Sequence, residues 1–195
     1  TEKWRNIKHS CLYYVLSDKR RIIDPIGCVS DSLQGRFCFF QCDNSFVGCL
    51  MDAFKNFKSI ITVNLIPTPL AEAMYLIEPE KRDEYAVLFD LGFISSTYSV
   101  ICGNGILYSQ SFSLGTGHIA VYLMEALDVP YDVAMHYLTT VNLNARESLT
   151  GKAECMYEGK LYEFACAEIR AKIRECLDGI CETIEECKND FSGRN

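Results

Sequence analysis

Apolar positions along the chain change their period several times, and each change marks an element. Residues 11–16 (CLYYVL) and 21–23 (RII) are short apolar runs on either side of Ser17-Asp18-Lys19-Arg20. That arrangement predicts two strands joined by a polar turn. Asp24-Pro25-Ile26-Gly27 then supplies turn chemistry, and the aromatic stretch Arg36 to Cys42 predicts another strand. Asn44 or Ser45 can cap a helix on which Phe46, Leu50, Phe54 and Phe57 share one face. The run Ile60 to Leu65 reads as a short buried strand, and after Pro67 and Pro69 a helix is expected over Leu70 to Ile77.

The charged stretch Glu78 to Glu84, with Pro79 inside it, is the best internal boundary, and the texture changes beyond it. Tyr85 to Asp90, Tyr98 to Cys102 and Ile106 to Phe112 are three apolar runs, the last two joined by Gly103-Asn104-Gly105. They predict a β-meander with a tight hairpin turn. Helices are expected over Gly117–Leu127 and Tyr131–Val141, the second entered through Pro130. Gly151 to Tyr162 fits neither period clearly. Phe164 to Lys188 predicts a long amphipathic helix, with Cys166, Ile169, Ile173, Leu177, Ile180, Ile184 and Cys187 at steps of three or four.

Composition narrows the class. The 195 residues are 49% hydrophobic and 23% charged, enough apolar content for a packed core and too much for a disordered chain. No stretch approaches the roughly 20 apolar residues of a membrane-spanning helix. The formal net charge of −7 argues against a nucleic-acid surface. Eleven cysteines are numerous, but they form no CxxC pair and no histidine stands near Cys38 and Cys42. They are expected to be reduced, small hydrophobes, and no metal site is expected. The chain starts at Thr1, without an initiator Met or an apolar leader, which suggests a processed chain or an excised fragment.

Candidate chemistry concentrates in Asp90-Leu91-Gly92-Phe93-Ile94-Ser95-Ser96, between two apolar strands. An Asp at a strand end, a glycine turn and paired hydroxyls can hold a metal-bound phosphate. The carboxylate would position Mg²⁺ or its water, and backbone amides and hydroxyls would face phosphate oxygens. The same residues also suit an ordinary capped turn. Gly115-Thr116-Gly117 opens a following helix, whose first amides favour anions.

The order of strand, Asp-x-Gly-x-x-Ser-Ser turn, strand, Gly-Asn-Gly turn, strand and glycine-opened helix resembles the second nucleotide-binding domain of the actin and Hsp70 ATPase superfamily. His9-Ser10, Tyr14, Asp24-Pro25-Ile26-Gly27, Leu33 and Pro69-Leu70-Ala71-Glu72-Ala73 are similar to motifs of the bacterial cell-division protein FtsA. The resemblance covers roughly Lys8 to Thr140. It implies an α/β, partial actin-like (ribonuclease H-like) fold, with residues 1–66 as the small FtsA-type inserted subdomain (SHS2-like). Residues 67–195 would then be an incomplete second lobe made of the meander and an outer helical subdomain.

The resemblance also implies a nucleotide-contacting set of Asp90, Gly92, Ser95, Ser96, Gly115, Thr116 and Gly117, with ATP and Mg²⁺ as the full-length family's cofactors. Departures from the family pattern weaken that set. Phe93 and Ile94 stand where relatives carry glycines, and Thr97 stands where an Asp is common. Thr68 stands where relatives often have an acidic residue, and Ala120 and Tyr122 replace a Thr and an Asp. Neither the Glu nor the Lys that usually faces the nucleoside occurs near Val133 to Leu138. The expectation is therefore a degenerate site, no catalytic residues and no cofactor held by this part of the protein.

As implied partners, the family offers a tubulin-like division polymer and further copies of itself in filaments, at the cytoplasmic, inner face of the cell membrane. No nucleic acid is expected. Direct membrane contact is not expected either, because Glu182, Glu185, Glu186 and Asp190 would be repelled by anionic lipid. Two alternatives remain open: an active actin-like ATPase whose other lobe lies elsewhere, and a pilus-assembly type of actin-like protein.

Overall fold

A computed structural model describes residues 3–144 and 151–193. The chain divides into two compact units, Thr1–Leu88 with Ser99–Ser109, and Phe89–Tyr98 with Gln110–Asn195. The chain passes from one unit to the other within strands. The start of the chain at Thr1 is outside the described residues.

The first unit is built around β1 (Trp4–Leu16), β2 (Arg21–Ile22) and β3 (Leu33–Asp43), in the order β2-β1-β3. The polar turn at 17–20 works as its sequence suggests. Lys19 takes a left-handed φ of 68°, its amide donates to the Leu16 carbonyl, and β1 and β2 pair antiparallel. β1 is far longer than its apolar core, because it pairs with β3 from Trp4↔Asp43 to Leu16↔Leu33, through two register shifts. β2 covers only Tyr14 and Val15.

Asp43, rather than Asn44 or Ser45, caps α1 (Asn44–Phe54), accepting from the amides of Ser45 and Phe46. The helix buries Val47, half-buries Leu50 and Met51 and leaves Phe46 exposed; it ends at Phe54, so Phe57, also exposed, lies beyond it and not on its face. Apolar residues occupy two adjacent faces there, and spacing alone cannot say which one is covered. The strand expected over Ile60 to Leu65 is absent. Its first residue closes a turn, with the Ile60 amide on the Phe57 carbonyl, and no ladder receives the rest. Ile61 is 98% exposed.

α2 (Thr68–Leu76) starts behind Pro67 with a second proline in its first turn, and a short 3₁₀ turn, Pro79–Arg82, precedes the meander. The meander is β4 (Ala86–Leu91), β5 (Ser96–Cys102) and β6 (Gly105–Phe112), adjacent in that order. Its hydroxyls meet as the hairpin requires: Ser99 with Ser109 at 3.0 Å and Thr97 with Ser111 at 2.9 Å. Gly103 makes the turn possible. Its φ is +57°, and any Cβ would strike the Leu12 carbonyl oxygen. Leu70, Ala73, Ile101 and Ile106 form the core of this region, with Phe40, Met74 and Ala86 against it.

The second unit contains α3 (Thr116–Leu127), α4 (Tyr131–Thr140), a hairpin of β7 (Lys152–Tyr157) and β8 (Lys160–Ala165), and α5 (Cys166–Ser192). The unassigned stretch from 151 to 162 is thus mostly hairpin, turning through Glu158 and Gly159, both with positive φ. Ile119, Leu123, Val133, Ala134, Tyr137, Ile169 and Ile173 make a buried core. α5 buries the expected stripe at Ile169, Ile173, Ile180 and Cys187. The eleven cysteines are unbonded; Cys102 and Cys187 are buried as packing residues, while Cys28, Cys49 and Cys181 lie at the surface. Among the described residues no helix is long and apolar enough to cross a membrane.

Candidate functional site

All seven residues singled out by sequence, Asp90, Gly92, Ser95, Ser96, Gly115, Thr116 and Gly117, belong to the second unit. The structure brings the turn after β4 against the start of α3. Asp90 is half-buried near the end of β4, and the chain leaves the strand at Gly92. A Cβ on Gly92 would collide with the Ser95 carbonyl, so the turn closes tightly on itself. Ser95 is exposed at the far side of that turn.

The amides that could have faced an anion are engaged within the protein. The Thr116 amide donates to the Gly92 carbonyl at 2.9 Å, and the Gly117 amide donates to the Phe93 carbonyl at 2.8 Å. The Thr116 hydroxyl also reaches the Gly92 carbonyl, at 3.4 Å. The next amide, of His118, turns back to the Gly115 carbonyl at 3.0 Å. These are the groups a helix N-terminus ordinarily leaves to a cap, water or ligand. Here two backbone carbonyls of the neighbouring turn take that place.

Gly115 permits the contact by lacking a side chain. A Cβ there would lie 2.5 Å from the Gly92 oxygen and 2.6 Å from the Phe93 oxygen. Its φ of −160° is ordinary extended backbone, so closeness and not conformation demands the glycine. Ser96 is fully buried, and its hydroxyl donates to the Leu114 carbonyl at 2.5 Å. The Phe93 ring lies over Gly117, within 3.3 Å of where a Cβ would stand. Beside it is an apolar cleft of about 230 Å³ lined by Phe93, Ile94, Gly117, His118, Val121 and Tyr131. Among the described residues no group of three or more His, Cys, Asp or Glu side chains is placed to hold a metal ion.

Two participants escaped sequence reasoning. His118 closes the helix start, its Nδ1 accepting the Gly115 amide at 3.2 Å. A residue three positions into a helix is well placed to reach back in this way, and that spacing was the available signal. The Leu114, Gly92 and Phe93 carbonyls leave no signal in residue types at all. At the other departures, Ala120 is buried, Thr97 is tied to Ser111, and the Glu175 carboxylate beside Tyr122 pushes its phenol pKa up.

No protein-family model and no curated protein matches the sequence. Solved structures do match the fold. MreB5 of Spiroplasma citri, bound to ADP, aligns over 76% of this chain and 48% of its own, with a TM-score of 0.61 and 12% identity. A PilM-PilN type IV pilus biogenesis complex aligns over 95% of this chain and 45% of the matched chain, with a TM-score of 0.56 and 12% identity. The chain spans about half the length of these structures. What they have in common with it is architecture: the chain carries part of the actin-like ATPase α/β fold.

Proposed function

We propose that this chain is an FtsA-like assembly module, acting through protein–protein contacts and not through nucleotide chemistry of its own. Within that reading it joins a tubulin-like division polymer to the cytoplasmic face of the cell membrane. The observation that carries the loss of nucleotide chemistry is the clasp between the two turns. The Thr116 and Gly117 amides are held by the Gly92 and Phe93 carbonyls, so a phosphate would have to displace two formed hydrogen bonds. The aromatic Phe93 and branched Ile94 side chains add bulk at the turn where relatives carry glycine. Asp90, Gly92, Ser95, Ser96, Gly115, Thr116 and Gly117 are on this reading a structural joint. Titration calorimetry with Mg·ATP should show no saturable heat; micromolar binding would overturn the proposal.

Protein contact is supported by an aromatic strip on the outer face of the first unit's sheet. His9 pairs with Phe39 across β1 and β3, with ring centroids 6.2 Å apart, and Tyr14 meets Phe37 edge-on at 6.0 Å. Phe39 remains 64% exposed. An uncovered aromatic strip of this kind suits another copy or a protein partner. Phe39→Asp should weaken self-association in sedimentation equilibrium, and an unchanged association constant would remove this strip from the contact. A pilus-assembly role is the second reading, favoured by the 95% of this chain that the pilus biogenesis structure matches. Pull-downs against a tubulin-like polymer and against pilus components would separate the two.

A further inference from the structure

In the second unit, a cavity of about 390 Å³ opens where α4 ends, β7 begins and α5 starts. Arg170, in the second turn of α5, lines it while being only 4% exposed. Its Nη2 is buried without a hydrogen-bond partner, and no carboxylate pairs with its guanidinium among the described residues. A buried guanidinium nitrogen without a partner is costly, because its water is removed and nothing replaces it. It is all the more unexpected in a chain with a formal net charge of −7, where carboxylates are plentiful.

The rest of the wall has the same sense. His136 and Asn142 add polar groups to the wall, Thr140 donates its hydroxyl to the His136 carbonyl at 2.7 Å, Lys152 adds a cation already paired with Glu163, and Cys166 brings the N-terminal end of α5 to the cavity. The N-cap residue, Ala165, offers no side-chain acceptor; the Cys166 amide donates to the Gly151 carbonyl at 2.9 Å, and the amides that follow it in the first turn have no side-chain cap. The opposing charges are weak competitors. Glu154 lies on the rim with an exposed side chain, and Glu163 engages Lys152 at 2.5 Å from outside the cavity wall.

We propose that this cavity is a binding site for a phosphate-sized oxyanion, anchored by the Arg170 guanidinium and completed by the start of α5. An Arg fork matches the oxygens of phosphate or carboxylate in pairs, and helix amides add donors that carry no proton-transfer requirement. None of these residues takes part in the turn clasp at Gly92 and Gly115, so the site is independent of the nucleotide question.

The test uses the full chain and inorganic phosphate at constant ionic strength, with acetate and a simple phosphate monoester as parallel arms. Phosphate should raise the unfolding temperature saturably and broaden its own ³¹P resonance. A larger response to the monoester assigns the site to an esterified ligand, and a larger response to acetate assigns it to a carboxylate. Arg170→Met should weaken phosphate binding by at least about tenfold. The same variant should be no less stable than the parent without phosphate, since an unpaired buried cation has been replaced by an apolar chain of similar length. If Arg170→Met fails to fold, His136→Gln at the exposed rim reads the same site and should weaken binding several-fold. Absence of any saturable phosphate, monoester or acetate response in the parent would overturn the proposal, as would an undiminished response in the variant that folds.

Discussion

Gly115→Ala is the sharpest probe of the turn clasp. The new methyl would stand 2.5 Å from the Gly92 oxygen, 2.6 Å from the Phe93 oxygen and 2.7 Å from the Phe93 carbonyl carbon. All three atoms are backbone, so no side chain can swing away, and the two turns must separate. Separation breaks the hydrogen bonds from Thr116 to Gly92 and from Gly117 to Phe93, each contributing about 1 kcal/mol. The forced shift adds about 1–3 kcal/mol of strain. Stiffening of the unfolded chain returns roughly 0.4–1 kcal/mol, because φ at this position suits alanine. The net loss is about 3 kcal/mol, and at about 2–4 °C per kcal/mol for a chain of this size, Tm should fall by about 9 °C. Urea unfolding measures the first quantity, and amide exchange at Thr116 and Gly117 locates it. A cost below about 1 kcal/mol, with exchange at those two amides unchanged, would refute the clasp.

Other perturbations address separate parts of the molecule. Tyr137→Phe should leave stability unchanged or raise it by about 1 kcal/mol in urea, because its buried hydroxyl has no hydrogen-bond partner. Burial also pushes the Tyr137 phenol up to about 12, so the folded state keeps a proton that the unfolded chain releases near pH 10. The resulting stabilisation is complete below about pH 10 and is lost as pH rises toward 12, with phenolate absorbance reporting the late-titrating tyrosine. Asp43→Ala should fray α1, seen as reduced amide protection at Ser45 and Phe46. The Ser45 hydroxyl and amide hold the Asp43 carboxyl below its usual value, so this cap weakens only as pH falls through the carboxylate range. Ile173→Ala, at a fully buried position of α5, should cost about 2–5 kcal/mol in the same urea assay.

The elements that sequence placed well are those with one unambiguous period. The meander, α3, α4 and the buried stripe of α5 each show a single periodicity and recognisable ends, such as Gly103-Asn104 and Pro130. Where two signals competed, spacing misled. Phe46 and Val47 lie side by side on α1, and only tertiary packing selected Val47. Ile60 to Leu65 has strand-forming residues but no free ladder to join, a property of its neighbours and not of the run itself. β7 and β8 alternate only in part, since Met156-Tyr157 and Leu161-Tyr162 put apolar residues side by side, and the positive-φ turn at Glu158-Gly159 that joins them resembles many loops.

Glycines at 92, 115 and 117 were legible as a turn and a helix start, but what packs against them was not. A phosphate oxygen and a backbone carbonyl both accept from an amide, and both need the room that a glycine leaves. Only the placement of the Gly92 and Phe93 carbonyls distinguished them. Arg170 was equally silent in sequence, since an arginine on an amphipathic helix reads as surface until its burial is known.

The chain passes between its two compact units within β4, within β5 and within β6. Neither unit therefore corresponds to one uninterrupted stretch of polypeptide. A gene cut at any single codon divides at least one of them, and a protease that nicks one loop cannot release either as an intact piece. Dissecting this protein by truncation would report on broken strands before it reported on separate activities. Point substitutions of the kind described above are the instrument that its connectivity allows.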